Sequence, residues 1–554
     1  MKIDLIIKNA NVITLDAHNR RAGSVAVSNG RIVGIWNSGE PPRGEIEIST
    51  HTEVVDLKGM TLIPGFIDTH NHLLMYSQLR NHVNCSTPNN KNMNDILNKI
   101  KEAAQEKQQG EWIQGWGYDD TLLDEMRHPT REELDRVAPH HPVFIRHISG
   151  HFAAVNSLAL AMAGIDEQVV NPRGGFFGRD HNGRLDGVLH ELPAMETVQS
   201  VLPVLSEDRL ATLVGDGAHE YLSLGITTNT DAGVGLDQGI SEFNAHLKAV
   251  ETGRNPLKMR MMVMHHLLRK GSPFGEYSAV QLDQEIQARS RGRARLDSAK
   301  LFQDGSIQGL TAALRTPYEC APDLYGELLH DQGLFNQEVL DLHQRGYRIA
   351  IHGNGDRAIE SILDAFEYAL YKHPRGDHRH RIEHAQTANI VDLNRMKSLD
   401  VAVSFFINHV YYWGDRHKRR FLGAERAERM NPLADAVERE ILFTLHSDCP
   451  ITPISPLFSV WSAVNRLTRE RQILGRNQVC DVETALKAMT SYGARINFEE
   501  NETGSIEVGK CADFAVLDID PTACDKKEIK DICVLATFID GNMVFQRSVN
   551  YMFS

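Results

Sequence analysis

The sequence predicts an α/β protein: a (β/α)8 TIM barrel, a small β-sandwich domain built from both termini, and an α+β subdomain inserted after the first barrel strand. Three observations support this prediction. Short strand-like runs occur at both ends of the chain, eight apolar β-rich runs alternate with helical stretches between them, and the gap after the first of these eight is far too long for a loop. At 554 residues, the chain is also too long for one core.

Both ends of the chain have the same sequence pattern, short strand-like runs separated by turn residues. Four short strands separated by turn residues are predicted within residues 1–60, where Asn29-Gly30 is a strong signal for a two-residue hairpin. Strand-like runs return near the C-terminus, around the turn residues Asp540-Gly541-Asn542. Neither end has enough apolar surface to fold alone. We therefore expect residues 1–60 and 501–554 to form one β-sandwich domain.

Residues 61–500 are predicted to form the barrel. Apolar strands separated by helical stretches are typical of a parallel sheet wrapped by helices. The eight candidate strands are Thr61–Ile67, Gly225–Thr230, Met259–Met264, Ala299–Gln303, Arg348–Ile351, Arg381–Glu383, Val401–Phe405 and Ile441–Leu445. Between the first two of them, residues 73–220 are expected to form the inserted subdomain, with strands at Trp112–Trp116 and Val143–Arg146.

The net charge and the cysteines indicate which classes of binding partner and which cellular compartment to expect. The 59 basic and 73 acidic residues give a net charge of −14, and no basic patch stands out, which argues against nucleic acid and anionic membranes as partners. No apolar stretch reaches the roughly 18 residues of a membrane span, and the N-terminal residues do not resemble a signal peptide. The seven cysteines are scattered and never in CxxC spacing. We therefore expect a cytoplasmic protein with reduced thiols.

Potential metal ligands follow four of the predicted barrel strands. The first strand leads into His70-Asn71-His72, and the fifth, sixth and eighth lead into His352, His384 and Asp448. His70 and His72 are two apart on an extended segment, so both can face one ion. All these side chains are expected at the C-terminal mouth of the barrel, where barrel enzymes keep their chemistry. Imidazole and carboxylate together suit zinc and similar divalent ions.

Several longer segments carry a family resemblance. They are GFIDTHNHL, IHGNGDRAI, RIEHAQ, HSDCPITPISPL, WIQGWGYDD, SGHFAAVNSLAL and AKLFQDGSIQG. With them the chain resembles the amidohydrolase superfamily, and specifically amidohydrolase family 3, the group that contains N-substituted formamide deformylases. The resemblance covers essentially the whole chain and implies a barrel with a β-sandwich. It also implies a metal-dependent hydrolase acting on carbon–nitrogen bonds other than peptide bonds.

The resemblance also assigns a role to Lys300, at the end of the fourth strand. Family members often carry a lysine there that CO2 has carbamylated, so that the new carboxylate bridges two metal ions. One ion would then take the carbamate with His70, His72 and Asp448, and the other would take the carbamate with His352 and His384. The alternative is an unmodified Lys300 beside Asp304 and a single ion. The expected metal is Zn²⁺.

The implied reaction is hydrolysis of a small-molecule amide, an N-substituted formamide being the substrate considered first. A bound metal ion makes hydroxide available near neutral pH, and this hydroxide attacks the carbonyl carbon. Asp448 would take the proton from the water and pass it to the leaving nitrogen. Two alternatives remain: a deaminase or a carbamate or cyclic-amide hydrolase of the same superfamily, and a non-catalytic metal-binding relative. Retention of the whole ligand set favours an enzyme.

Four residues are candidates for substrate binding: His151, Trp116, Asp304 and Trp413. His151 lies in a family motif of the insertion, where a substrate contact and a loop-fixing hydrogen bond are equally compatible with the sequence. The two tryptophans could line an apolar substrate pocket, and a place in the core is the alternative for Trp413.

Two further expectations concern His446 and the assembly. His446 departs from the family pattern, which usually has a small residue there, and the sequence is compatible with a packing role. Barrel hydrolases often self-associate, so a homo-oligomer is expected, although the sequence marks no interface.

Overall fold

The barrel is one sheet of eight parallel strands arranged in chain order. A computed structural model describes residues 2–42, 44, 46, 49–87 and 89–548. The barrel strands are Phe66–Asn71, Ile226–Val234, Lys258–Met264, Ala294–Phe302, Ile349–Gly353, Arg381–His384, Ala402–Phe405 and Phe443–Leu445. The first and eighth strands meet through a 2.8 Å hydrogen bond between the Thr69 and Thr444 hydroxyls. The sheet therefore closes into the predicted (β/α)8 barrel.

Helices cover the outside of the barrel. The long ones are Glu207–Leu222, Ile240–Glu251, Ala279–Ser290, Gln332–Gln344, Asp356–Lys372, Ile390–Ser398 and Pro456–Asn465. Shorter ones are Leu73–Leu79, His409–Arg416, Gly423–Arg429, Leu433–Glu438, Val482–Ala488 and Ser491–Ile496. In Asp356–Lys372, buried Ile359, Ile362 and Phe366 recur at helical spacing and form the face toward the strands. The strands are buried on both faces, which is why they read as continuous apolar runs.

Both ends of the chain build the β-sandwich. One sheet has the strand order Arg31–Trp36, Ser24–Ser28, Leu5–Lys8, Glu53–Asp56. The other has the order Asn542–Gln546, Val534–Ile539, Phe514–Leu517, Thr61–Pro64, Asn11–Ile13, Arg21–Ala22. Leu5, Val25, Val516 and Phe538 lie in one buried cluster between them. The two ends thus share the apolar core that neither could form alone.

The predicted strand Thr61–Ile67 was wrong as a single barrel strand. Thr61–Pro64 pairs with Phe514–Leu517 in the sandwich, and a separate strand, Phe66–Asn71, begins the barrel. The run is apolar throughout because both parts are buried, so its composition does not show the change of sheet at Gly65. As a consequence, His70 lies inside its strand and not beyond its end.

The insertion forms a six-stranded sheet of its own. Its strands, in sheet order, are Phe176–Arg179, Leu185–His190, Phe152–Val155, Val143–His147, Ile113–Tyr118 and Val83–Asn84. Its helices are Met93–Glu106, Arg131–Val137, Ser157–Met162 and Glu191–Gln199. Two apolar clusters pack on this sheet. Over the described part of the chain, every helix is too short or too polar to cross a membrane.

Candidate metal centre

His70, His72 and Asp448 meet at the C-terminal mouth of the barrel. His70 is the next-to-last residue of the strand Phe66–Asn71, and His72 directly follows that strand. Asp448 lies in the loop after the eighth strand. The Asp448 Oδ1 atom is 3.1 Å from His70 Nε2 and 3.3 Å from His72 Nε2. One ligand atom from each residue lies within 4.8 Å of the others, so a single divalent ion could take all three.

Glu383 orients His70. Its carboxylate accepts a short hydrogen bond from His70 Nδ1 and another from Arg381, which also donates to the Thr69 carbonyl at 2.9 Å. Burial alone would raise the pKa of Glu383, but Arg381 and His70 hold it well below its usual range. The bond at Nδ1 leaves His70 Nε2 free to face an ion. Sequence reasoning missed Glu383, although a carboxylate inside a buried strand was a usable signal.

His352 and His384 form the neighbouring part of the cluster. His352 Nδ1 is 3.0 Å from His384 Nε2, and His352 Nε2 is 3.1 Å from the Gly305 carbonyl oxygen. His352 Nε2 also lies 3.0 Å from the Asn354 amide nitrogen. Burial holds the pKa of both histidines well below the usual value. Both rings are therefore neutral and able to bind a cation.

Lys300 is buried beside these histidines. It lies on the fourth strand, its side chain is inaccessible, and its Nζ is 5.0 Å from the centre of the Phe302 ring. Nζ has no hydrogen-bond partner among the described residues. Burial lowers the pKa of Lys300 to about 8. A substantial fraction of the amine is then neutral near physiological pH, the form that reacts with CO2.

His446 lies inside the same cluster. Its ring centre is 4.5 Å from that of His70 and 5.1 Å from that of His384. These three histidines form a second group whose ligand atoms lie within 4.8 Å of one another. This position of His446 was not predicted, because the departure of His446 from the family pattern is compatible with simple packing.

Many buried polar atoms at this centre have no hydrogen-bond partner among the described residues. Atoms that are buried and lack a hydrogen bond to any described residue include His70 Nε2, His384 Nδ1, both ring nitrogens of His446, Lys300 Nζ and Asp448 Oδ1. An unpaired buried polar group costs about 1–3 kcal/mol, and native proteins seldom tolerate one. Their concentration at one point, with imidazole and carboxylate donors, fits a divalent metal ion.

Asp304 holds the loops around His352. Its carboxylate accepts hydrogen bonds from the backbone N–H groups of Asn354, Gly355 and Ala313 at 2.8–3.0 Å. Burial raises the pKa of Asp304 to about 7. Its Oδ1 lies 3.6 Å from His352 Nε2. The predicted substrate-binding residue thus lies at the centre, with its carboxylate occupied by backbone donors.

His151 reaches the centre from the insertion. Its Nδ1 is 2.8 Å from Glu191 Oε2, and its ring centre is 5.9 Å from that of His352. The backbone around it is tied as well, since the His151 carbonyl accepts from the Glu191 N–H at 2.8 Å. Both readings of the sequence are thus compatible with the geometry: the ring makes a loop-fixing bond and also lies beside the metal cluster.

A cavity of about 400 Å³ opens next to the centre. Trp116 from the insertion and Trp413 from the helix His409–Arg416 both line it, together with Cys449 directly after Asp448. Trp413 is 3% exposed, and its Nε1 atom has no hydrogen-bond partner within the described structure. Arg416 donates to both oxygens of Asp119, at 2.9 and 3.0 Å, and ties the two walls together.

Residues 53–545 match the model of the amidohydrolase family. The chain belongs to the amidohydrolase family. It is 30% identical over 551 residues to an N-substituted formamide deformylase of Arthrobacter pascens, covering 98% of this chain and 99% of that protein.

Two solved structures are also similar to this amidohydrolase, both described as uncharacterized metal-dependent hydrolases. The one from Pyrococcus furiosus has a TM-score of 0.70 and 25% identity, and the one from Pyrococcus horikoshii has a TM-score of 0.74 and 24% identity. Each comparison covers 94% of this chain and 99% of the other. The protein is an enzyme, a metal-dependent hydrolase acting on carbon–nitrogen bonds.

Proposed function

We propose that this amidohydrolase hydrolyses an amide-type C–N bond of a small molecule, with N-substituted formamides as the first substrate class. The observation that carries the proposal is the junction of His70, His72 and Asp448, which brings two imidazole nitrogens within 3.3 Å of one carboxylate oxygen. The similarity to an N-substituted formamide deformylase supports the choice of substrate class. The fold alone would not, because barrels host many chemistries.

The residues divide the work as follows. A bound divalent ion, which we propose to be Zn²⁺, supplies an activated water and polarises the substrate carbonyl. Asp448 accepts the proton of that water and delivers it to the leaving nitrogen. Burial would raise the pKa of Asp448, but the adjacent His70 and His72 hold it well below its usual value. The carboxylate is therefore ionised before substrate binds.

The substrate body is proposed to lie in the 400 Å³ cavity against Trp116 and Trp413, with its scissile bond toward the metal centre. His151 would contact the reacting end from the insertion side, held in orientation by Glu191. Asp304 would contribute to the same end by fixing the loop that carries Asn354.

Carbamylation of Lys300 is a further part of the proposal. The neutral Nζ would form a bond to the carbon of CO2 and lose one proton, and the resulting carboxylate would bridge two ions, the second held by His352 and His384. The buried, unpaired Nζ supports this. Mass spectrometry at neutral pH should show the added mass of CO2, lost on acidification. Metal analysis should show two ions per chain, against one in Lys300→Ala. One ion in both proteins would favour the unmodified lysine.

Substrate screening tests the reaction class. Zinc-loaded protein should release formate and an amine from at least one member of a panel of N-substituted formamides. Asp448→Asn should lower kcat by roughly 10²–10⁴-fold, the usual contribution of a positioned acid–base group. Ammonia released from amino-heterocycles would instead indicate a deaminase. Turnover of carbamates or cyclic amides alone would show that one of these, and not a formamide, is the substrate class. Inactivity on every one of these compounds would overturn the proposal.

A further inference from the structure

We propose that His446 is a ligand of the metal ion, so that this chain adds an imidazole from the eighth barrel strand to its metal centre. This inference rests on the proposed metal-dependent hydrolysis and deepens it. It concerns a residue that the sequence alone assigned no chemical role.

The fold presents His446 to the cluster in a fixed way. The residue directly follows the strand Phe443–Leu445, and its backbone N–H donates to the Phe405 carbonyl at 3.1 Å. Its ring stacks on Phe406, with ring centres 5.1 Å apart and planes inclined by 29°. The ring centres of His70 and His384 lie 4.5 and 5.1 Å from that of His446. The imidazole is thus packed against one apolar ring and two candidate ligands.

Packing alone does not account for a histidine here. The side chain is fully buried, and neither ring nitrogen has a hydrogen-bond partner in the described part of the chain. A neutral imidazole carries one donor and one acceptor, and leaving either unpaired costs about 1–3 kcal/mol. An apolar side chain would fill the same space without that cost. Coordination of an ion satisfies the acceptor nitrogen directly.

His70 connects the two possible groups of ligands. Its Nδ1 is engaged by Glu383, so only Nε2 is available to an ion. One imidazole nitrogen has one lone pair and binds one ion. The group His70–His384–His446 and the group His70–His72–Asp448 therefore cannot hold separate ions through His70. The simplest arrangement is that His446 faces the ion that His70 binds.

The required movement is small. Zinc–nitrogen bonds are about 2.0–2.1 Å long, so two nitrogens on one ion are at most about 4.2 Å apart. A ligand nitrogen of His446 already lies within 4.8 Å of one on His70. A shortening of at most about 0.6 Å would bring this pair within the span of one zinc ion.

Cobalt substitution tests His446 directly. The variant His446→Cys places a thiolate donor at this position, and a thiolate on Co²⁺ adds an intense near-ultraviolet charge-transfer band. We expect this band in Co²⁺-loaded His446→Cys and not in the wild type. The control is His417→Cys, a fully buried histidine that contacts His409 and Phe421. A His446→Cys protein that binds Co²⁺ at wild-type stoichiometry without the band would overturn the inference.

A second variant covers the case in which His446→Cys does not fold. His446→Gln, checked by circular dichroism, should bind Zn²⁺ about tenfold or more weakly than the wild type in chelator competition, since even residues behind the ligands contribute that much. Its zinc X-ray absorption spectrum should show one imidazole fewer. Equal affinity and an equal imidazole count would exclude His446 as a ligand. If the wild type itself binds less than one ion per chain, the proposed function fails as well.

Discussion

Glu383 shows how one residue behind the ligands can determine a metal centre. The carboxylate is fully buried, receives the Nδ1–H of His70, and is balanced by Arg381 on its other side. This arrangement fixes the tautomer of His70 and points Nε2 toward Asp448. We therefore expect metal affinity to depend on Glu383, which would not itself touch the ion.

Substituting Glu383→Gln should lower zinc affinity by roughly 10–100-fold, the usual effect of losing such a partner. The amide is neutral and can present its N–H₂ to His70, so the imidazole loses its preferred tautomer. Chelator competition measures the change. The matched control is Glu338→Gln, which removes a carboxylate 2.6 Å from His265 Nδ1, a histidine outside the cluster. Equal zinc affinity in wild type and Glu383→Gln would contradict this role.

At the scale of elements, the insertion and the helix His409–Arg416, which follows the seventh strand, both line the cavity. Arg416, in the helix His409–Arg416, joins them by two hydrogen bonds to Asp119, which follows the strand Ile113–Tyr118. Their side chains are only 13% and 6% exposed, so the pair is poorly screened by solvent. Both hydrogen bonds come from the single nitrogen Nη1 of Arg416, and they tie the helix to the insertion.

We expect Arg416→Ala to raise KM by about tenfold while leaving the metal content unchanged, because it loosens the cavity and not the ligands. The control is Arg419→Ala, three residues along the chain, whose partner Glu470 and own side chain are 51% and 61% exposed. An exposed pair contributes at most about 1 kcal/mol, so KM should not change there. Steady-state kinetics with metal analysis distinguishes the two. Equal KM values for wild type and Arg416→Ala would show that the bridge does not shape the site.

The positions of the secondary-structure elements could be predicted from the sequence better than the contacts between those elements. Buried parallel strands read as apolar runs, so the barrel and the strand-end positions of His352 and His384 followed from local composition. The division of Thr61–Ile67 did not, because strand pairing with Phe514–Leu517 is set by residues some 450 positions away. Glu383 and His446 were missed for the same reason. Their environment is made by strands that only barrel closure brings together.

At the scale of the whole molecule, the sandwich is tied to the barrel through a buried charge. Lys258 begins the third barrel strand, and its Nζ atom lies 2.7 Å from Asp513 Oδ2 and 2.8 Å from Asp540 Oδ1. Both aspartates belong to the C-terminal part of the chain. Asp513 is 1% exposed at its side chain. Its carboxylate is otherwise reached by the Thr503 hydroxyl at 3.1 Å and the Asp540 N–H at 2.9 Å.

Replacing Lys258→Met should lower the free energy of unfolding by about 3–5 kcal/mol, since it removes one partner of a buried pair and leaves Asp513 unneutralised. Denaturant unfolding measures this loss. The control is Lys397→Met, whose pair with Glu440 is 50% and 86% exposed and should contribute less than about 1 kcal/mol. A Lys258→Met protein as stable as the control would mean that the charge pair does not hold the two domains together.

We propose above all that one ion lies among His70, His72 and Asp448 at the mouth of the barrel. Anomalous diffraction at the zinc edge from crystals of the zinc-loaded protein tests it most directly. We predict a strong peak about 2.0–2.2 Å from the Nε2 atoms of both histidines and from a carboxylate oxygen of Asp448. A peak only at another cluster, such as Asp119, Asp120 and His147, or no peak in protein shown to contain zinc, would contradict the account.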